Sequence, residues 1–254
     1  MKILPIIIDL IYFVNIKKTS MKKITYLLVI LLLTPAFCFS QTDNFLTAKE
    51  KKKGWILLFD GVSTNGWTTS RGQPVPEGGW NIIDGSINTV IGGKGGDIIT
   101  VNEYSDFDLC VDFKITPGCN SGIKYFFTNY QTGGNLGCEY QIIDDKLGED
   151  TKQANHLCGS FYDVFPPIES KKKVNPPGEW NTIRVVAKGE KVQHWMNNIK
   201  ILEYTRGDEF FTEAVSKSKF NKVVPPFGTV EKGHILLQYH GGLVSFKNIK
   251  IREL

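Results

Sequence analysis

The sequence predicts an all-β protein, an antiparallel β-sandwich of jelly-roll type with one short helix. Three observations carry this. Short segments of alternating hydrophobicity follow one another from residue 55 to the end, about a dozen in all. Gly, Asn and Asp pairs punctuate them as turns. No period of about 20 to 50 residues recurs, which removes propellers and solenoids. Stacking two such sheets is the usual way for this pattern to bury its apolar faces.

The elements follow in chain order. WILLFD opens the domain, and a Gly/Ser/Thr/Pro-rich stretch runs from Gly61 to Gly79. WNIIDGSINTV carries the hairpin signal Asp84-Gly85, and DIITV follows. FDLCVDFKI alternates strictly, with Phe107, Leu109, Val111, Phe113 and Ile115 expected inward and Asp108, Asp112 and Lys114 outward. GIKYFFT, GCEYQIID and GSFYDVF read as further strands. WNTIRVVAKG and KVQHWMNNIKILEY are joined by a turn at Gly189-Glu190, with a second turn at Asn197-Asn198. DEFFTEAVSKSKF is the expected helix, capped by Asp208, with an apolar stripe of Phe210, Phe211, Ala214 and Val215. GHILLQYHGG and VSFKNIKIREL end the chain. In the last segment the apolar parity changes between Phe246 and Ile249, which predicts a β-bulge near Lys247-Asn248.

The domain is expected over residues 54–254, after a short segment at 41–53. Residues 21–40 read as a signal peptide, with two lysines, an apolar run and a small-residue exit before Gln41. That apolar run is short for a membrane span. Residues 1–20 precede a fresh Met-Lys-Lys and read as an upstream mis-start, the alternative being a long signal anchor. Export to the periplasm, the cell surface or the medium follows as an expectation.

Of 30 Lys and Arg and 26 Asp and Glu, five Lys and one Asp fall in the first 40 residues, so the rest carries 25 of each. A neutral body gives no electrostatic reason to bind nucleic acid or an anionic membrane. Cys110, Cys119, Cys138 and Cys158 match no zinc spacing and read either as small buried thiols or as containing a disulfide. No GxGxxG, Walker loop, GxSxG or HExxH is present.

Polar residues that share a strand face mark a candidate groove. Glu139 pairs with Gln141, Gln238 with His240, and Asn120 with Lys124 across Gly122. His194 shares a face with Met196, and His156 and Tyr162 bracket NHLCGSFYD. A lone strand histidine such as His194 or His234 is more often a hydrogen-bonded structural residue. Trp67, Trp80, Trp180 and Trp195 are more often core than sugar platforms. Asp144-Asp145 most simply begins a turn, although adjacent carboxylates also suit a hard cation such as calcium. Pattern alone does not choose between a lectin and an enzyme.

Ten motifs, among them GWILLFDG, NSGIKYF, GCEYQIIDD, PPGEWNTIRVVAKG, GHILLQYHG and VSFKNIKIREL, run in order through residues 54–254. Together they resemble the 3-keto-disaccharide hydrolase family, long called domain of unknown function 1080. The resemblance implies a concanavalin A-like sandwich, a glycoside substrate and no certain cofactor, a divalent cation remaining open. Three positions depart from the family pattern: Tyr239 stands where Asp is frequent, Asn197-Asn198 where Asn-Gly is frequent, and Lys247 where Arg is frequent. By parity Tyr239 points away from Gln238 and His240.

The implied activity suggests a mechanism. A ketone at C3 of a sugar acidifies the hydrogen on C2, so a base generates an enolate that expels the group on C1, and water then adds. One base and one stabiliser of enolate charge suffice, unlike the paired carboxylates of an ordinary glycosidase. Glu139 and His240 are the candidate bases. Lys124, Gln141, Gln238 or a metal would hold the enolate, Tyr162 or His156 would protonate the leaving oxygen, and Asn120 and His194 would bind substrate. The competing expectations are a non-catalytic lectin-like module and a structural domain of a surface complex.

Overall fold

The computed structural model describes residues 43–254. The expected upstream segment and signal peptide lie outside the described residues. Two antiparallel sheets face each other. The larger has the order β11 (Ile199–Thr205), β10 (Lys191–Met196), β9 (Asn181–Lys188), β6 (Phe107–Ile115), β13 (Val244–Glu253), β4 (Ser86–Thr89) and β3 (Trp80–Ile83), and the short β1 (Ile56–Leu57) pairs with β13. The smaller has the order β2 (Trp67–Thr69), β5 (Ile98–Tyr104), β12 (Gly233–Leu237), β7 (Asn120–Tyr130) and β8 (Gly134–Ile143).

The residues of β6 expected inward are in the core. Phe107, Leu109, Val111 and Phe113 of β6 meet Ile123 and Tyr125 of β7 and Tyr140 and Ile142 of β8 between the sheets. Removing any one of the large aromatics would cost about 3–5 kcal/mol in transfer and cavity terms.

Local chemistry sets the turns. Asp84-Gly85 and Asn197-Asn198 both hold two consecutive left-handed residues, with φ of 50° and 70° and of 46° and 67°. That is the two-residue hairpin whose twist matches the flanking strands. Asn248 is left-handed at φ 52°, and the β13–β6 register shifts between Lys247 and Lys250, so the bulge falls where the parity change put it.

α2 (Glu209–Lys217) is capped by Asp208, whose carboxylate accepts from the Phe211 N–H at 2.8 Å. Phe211 and Val215 are its buried residues, but Phe210 of the expected stripe is 77% exposed. A five-residue helix, α1 (Ala48–Lys52), lies within the segment expected at 41–53 and is closed by a Thr47–Glu50 capping box.

One expectation needs correction, and two gain detail. GSFYDVF forms isolated bridges at Phe161 rather than a strand, because it lies along the open edge of β8 and turns back on itself through Phe161 and Phe165. Of the two readings open for the cysteines, free thiols hold for the four among the described residues, with burial pushing Cys110 and Cys119 up to about 11 and Cys138 and Cys158 up to about 12. Asp108 is on the outward face as expected, yet it is 0% exposed, because Arg184 and Arg252 close over it.

Candidate active site

Register across the smaller sheet builds the site. β12 lies between β5 and β7, with Leu236 opposite both Ile99 and Lys124. Lys124 is opposite Glu139 on β8. Beyond β8, residues 159–162 add a further strip: Gln141 N–H donates to Ser160 O and Tyr162 N–H to Glu139 O, at 3.2 and 3.0 Å.

Two rows of side chains therefore cross the outward face. One row is Ile99, Leu236, Lys124, Glu139 and Tyr162. The next is Asp97, Gln238, Gly122, Gln141 and Ser160. The second follows from stepping every strand by one pleat, and two contacts anchor it: Gln238 N–H donates to Gly122 O at 3.0 Å and Tyr239 N–H to Asp97 Oδ1 at 2.9 Å. A bulge at Phe126 (φ 53°) turns Phe127 outward, where it joins Ile99 and Leu236 in an apolar patch separate from the core. The three are covered, at 6%, 0% and 7% exposure for Ile99, Leu236 and Phe127, so they back the polar row rather than lie open beside it.

Glu139 is the centre of this surface. It is 7% exposed, and its carboxylate lies over Gly122, where an added Cβ would come within 2.4 Å of Oε1. Gly122 is required for this close approach, since any side chain would displace the carboxylate. Lys124 Nζ is 3.5 Å from Oε2, and the Gln141 amide, turned so that its nitrogen meets the two acceptors around it, donates to Oε1 at 3.3 Å and to Ser121 O at 2.9 Å. Burial raises the Glu139 carboxyl above its ordinary value, against the opposing charges of Lys124 and Lys219, and Asp97 raises it further. Gln238 Oε1 and Ser160 Oγ are buried in the same row without a hydrogen-bond partner. Unsatisfied polar atoms beside a desolvated carboxylate fit a surface shaped for a polar ligand.

The remaining sequence candidates divide. Gln238, Gln141 and Lys124 join Glu139. Asn120 is opposite Ile143 at the start of β7, one outward position beyond Gly122, and His240 is exposed two residues beyond Gln238, outside this row.

His194 does not line the groove. It is buried between the sheets, with Nδ1 3.0 Å from Gly159 O and Nε2 2.7 Å from Tyr125 Oη. A carbonyl only accepts, so Nδ1 carries the proton and Nε2 accepts from Tyr125. Burial lowers its pKa to about 4, and the ring is a neutral structural link. The even spacing of β10 was read correctly, but the His194–Met196 face is the core face.

His156 is likewise occupied. Asp150 Oδ1 and Asp163 Oδ1 take its two ring nitrogens at 2.7 and 2.9 Å. Burial alone would lower its pKa, and the two carboxylates outweigh that and raise it. Both protons are committed, so His156 is not free to protonate a leaving group. Tyr162 donates its hydroxyl to Asp150 Oδ2 at 2.7 Å, stacks on His156 and carries Lys219 Nζ 4.3 Å above its ring. Burial and then Asp150 raise its pKa, so it walls the site rather than supplying a proton.

Asp144 and Asp145 serve separate structural ends. Asp144 accepts from the N–H groups of Gly118, Lys146 and Leu147, and Asp145 accepts from Cys158 N–H and Lys172 Nζ. Among the described residues no three His, Cys, Asp or Glu side chains group closely enough to hold a metal.

Sequence reading missed Asp97, Ser160 and Lys219, and it placed Gly122 on this face without its role under Glu139. Asp97 had a usable signal, since its parity with Ile99 puts both on one face. The others depend on pairings between distant segments. A separate cavity of about 340 Å³ beside α2 is lined by Gln153, Asn155, Asp163, Phe210, Ala214 and Lys217 among others. Its Asp163 is held by His156 and by Lys219 N–H, and the neighbouring Glu213 by Lys217, so it offers no under-paired ionisable group.

Three comparisons bear on this chain. A family model described as a 3-keto-alpha-glucoside-1,2-lyase-like domain matches residues 54–252. A curated relative from Bacteroides thetaiotaomicron, named a 3-keto-disaccharide hydrolase, is 32% identical over 234 residues, spanning 79% of this chain and 79% of that protein. Two solved structures from Parabacteroides distasonis, both provisionally named glycosyl hydrolases, share the fold. The first has a TM-score of 0.74 at 34% identity and covers 84% of this chain and 100% of its own. The second has a TM-score of 0.60 at 29% identity and covers 79% and 99%.

Proposed function

The chain belongs to the 3-keto-alpha-glucoside-1,2-lyase-like family, and from that premise we propose that it cleaves the glycosidic bond of 3-keto-glycosides, 3-keto-disaccharides among them, after export. The observation that carries this reading is Glu139: a covered carboxylate seated over Gly122, only partly paired, with Lys124 beside it.

Abstraction of the C2 proton needs a base whose affinity for protons lies closer to neutrality than that of a free carboxylate. Burial supplies this at Glu139. Lys124 is the nearest cation to the base and is assigned to hold the developing enolate charge. The amides of Gln141 and Gln238 stand on either side of Gly122 in the neighbouring polar row. His240, exposed at the rim, is assigned to substrate recognition rather than to proton transfer, since proton abstraction from carbon is favoured in a water-poor pocket.

Elimination followed by hydration exchanges the C2 hydrogen with solvent, whereas direct displacement at C1 does not. Reaction of a 3-keto-disaccharide in deuterium oxide should therefore place deuterium at C2 of the released 3-keto-sugar at early turnover. Release of a product without deuterium would remove the enolate route. Binding of the disaccharide without cleavage would replace the enzyme with a lectin-like module.

A further inference from the structure

Glu139 faces a second carboxyl group across the groove floor. Asp97 stands immediately before β5, in the same row as Gln238 and Gly122. Its Oδ1 is held by the Tyr239 N–H at 2.9 Å, which fixes the side chain and leaves Oδ2 for a ligand. Gln238 lies between Asp97 and Gly122, and the Glu139 carboxylate covers Gly122. Adjacent strands are about 4.8 Å apart, so the Asp97 and Gly122 positions are separated by about 10 Å. That interval leaves room for one sugar ring between the base seated over Gly122 and the carboxyl of Asp97. The buried, unpartnered Gln238 Oε1 lies on the floor of the interval.

Resting on the reading of this groove as the place of 3-keto-glycoside cleavage, we propose that Asp97 is the general acid that protonates the leaving sugar and then the base that activates the water. In the first half, the C2–H bond breaks with its proton passing to Glu139, and the electron pair moves into the C2–C3 enolate. The C1–O bond then breaks as a C1–C2 double bond forms and the C3 carbonyl returns, with the departing oxygen taking the Asp97 proton. In the second half, water loses a proton to Asp97 as its oxygen bonds to C1, and Glu139 returns a proton to C2. Both side chains end as they began, and the sum is hydrolysis. Burial holds the Asp97 carboxyl above its ordinary value, outweighing the Tyr239 N–H and the positive charges of Lys124 and His240, with Glu139 the other titratable group in reach. A carboxyl so placed keeps a proton available where an exposed aspartate would not.

The test compares two leaving groups on the full chain. An alkoxide needs protonation as it departs, whereas a 4-nitrophenolate does not. Asp97→Asn keeps the acceptor for Tyr239 N–H and removes the acid. It is expected to lower kcat/KM on a 3-keto-disaccharide by about 100-fold or more, within the range of general acid catalysis. On 4-nitrophenyl 3-keto-glucoside its formation of the unsaturated product should stay close to the wild type. Asp97→Glu, which restores an acid, should recover much of the disaccharide rate and the alkaline limb of its pH profile. Equal losses on both substrates, or no loss on either, would overturn the acid role while leaving the site itself standing. A wild type inert toward both substrates would sink the underlying reading together with this one.

Discussion

Asp108 and Glu139 stand on outward positions of opposite sheets, and both are almost wholly covered, but they are paired very differently. Asp108 receives four N–H donors: Nε and Nη2 of Arg184 at 2.5 and 2.7 Å, and Nε and Nη2 of Arg252 at 3.0 and 2.8 Å. The arginines are themselves backed by Trp195 and Trp55. Glu139 has one lysine at 3.5 Å and one amide at 3.3 Å. Planar guanidinium groups saturate a carboxylate, whereas a single ammonium at the edge of hydrogen-bond range does not. Covering a carboxylate is thus common to both sites, and the number of donors separates a structural anchor from a reactive group.

The sharpest break of this comparison is Glu139→Gln. Loss of the base should lower kcat/KM on a 3-keto-disaccharide by about 1,000-fold, within the span of general base catalysis. The same change should leave the melting temperature at neutral pH equal or higher. The folded protein holds the Glu139 proton more tightly than the unfolded chain does. That stabilisation is complete below the ordinary glutamate value and disappears as pH rises through the raised value. Above it, the ionised carboxylate is a burden that glutamine removes. A clear drop in melting temperature would make Glu139 a structural residue like Asp108.

Asp108→Asn should do the reverse. Removing one partner of a buried ion pair costs about 3–5 kcal/mol, and the partly exposed arginines reduce this to about 2–3 kcal/mol. Chemical denaturation would show the loss, while kcat per folded molecule should hold.

Gly122→Ala probes the seat of the base. The new Cβ would displace a carboxylate oxygen that now lies 2.4 Å from its position, and a shift on the order of 1 Å in a reacting group costs up to about 100-fold in rate. A drop of about 10-fold or more in kcat with the fold intact is the expected result, and unchanged kinetics would detach Glu139 from the chemistry.

The pH dependence is gentler. Activity should rise with pH as the buried Glu139 ionises, with its acid limb above the range of an ordinary glutamate. His240→Asn should change KM by only a few-fold and leave that limb in place; loss of the limb would transfer the base role to His240.

Much of this was legible in the chain itself. The hairpins at Asp84-Gly85 and Asn197-Asn198, the bulge at Asn248 and the Asp208 cap each depend on a few neighbouring residues, and local backbone preference decides them. The pairing of Glu139 with Gln141, and of Gln238 with His240, followed from the two-residue period of a strand. Only the tertiary structure decided which face is which. Alternation is unchanged when the two faces are exchanged, so His194 and Glu139 looked alike until the sheets were stacked, one against Tyr125 in the core and the other over Gly122 in the groove. Register between segments more than 40 residues apart then set Asp97 across from Glu139 and closed Arg252 over Asp108, because those meetings depend on strand order, which no local stretch of sequence contains.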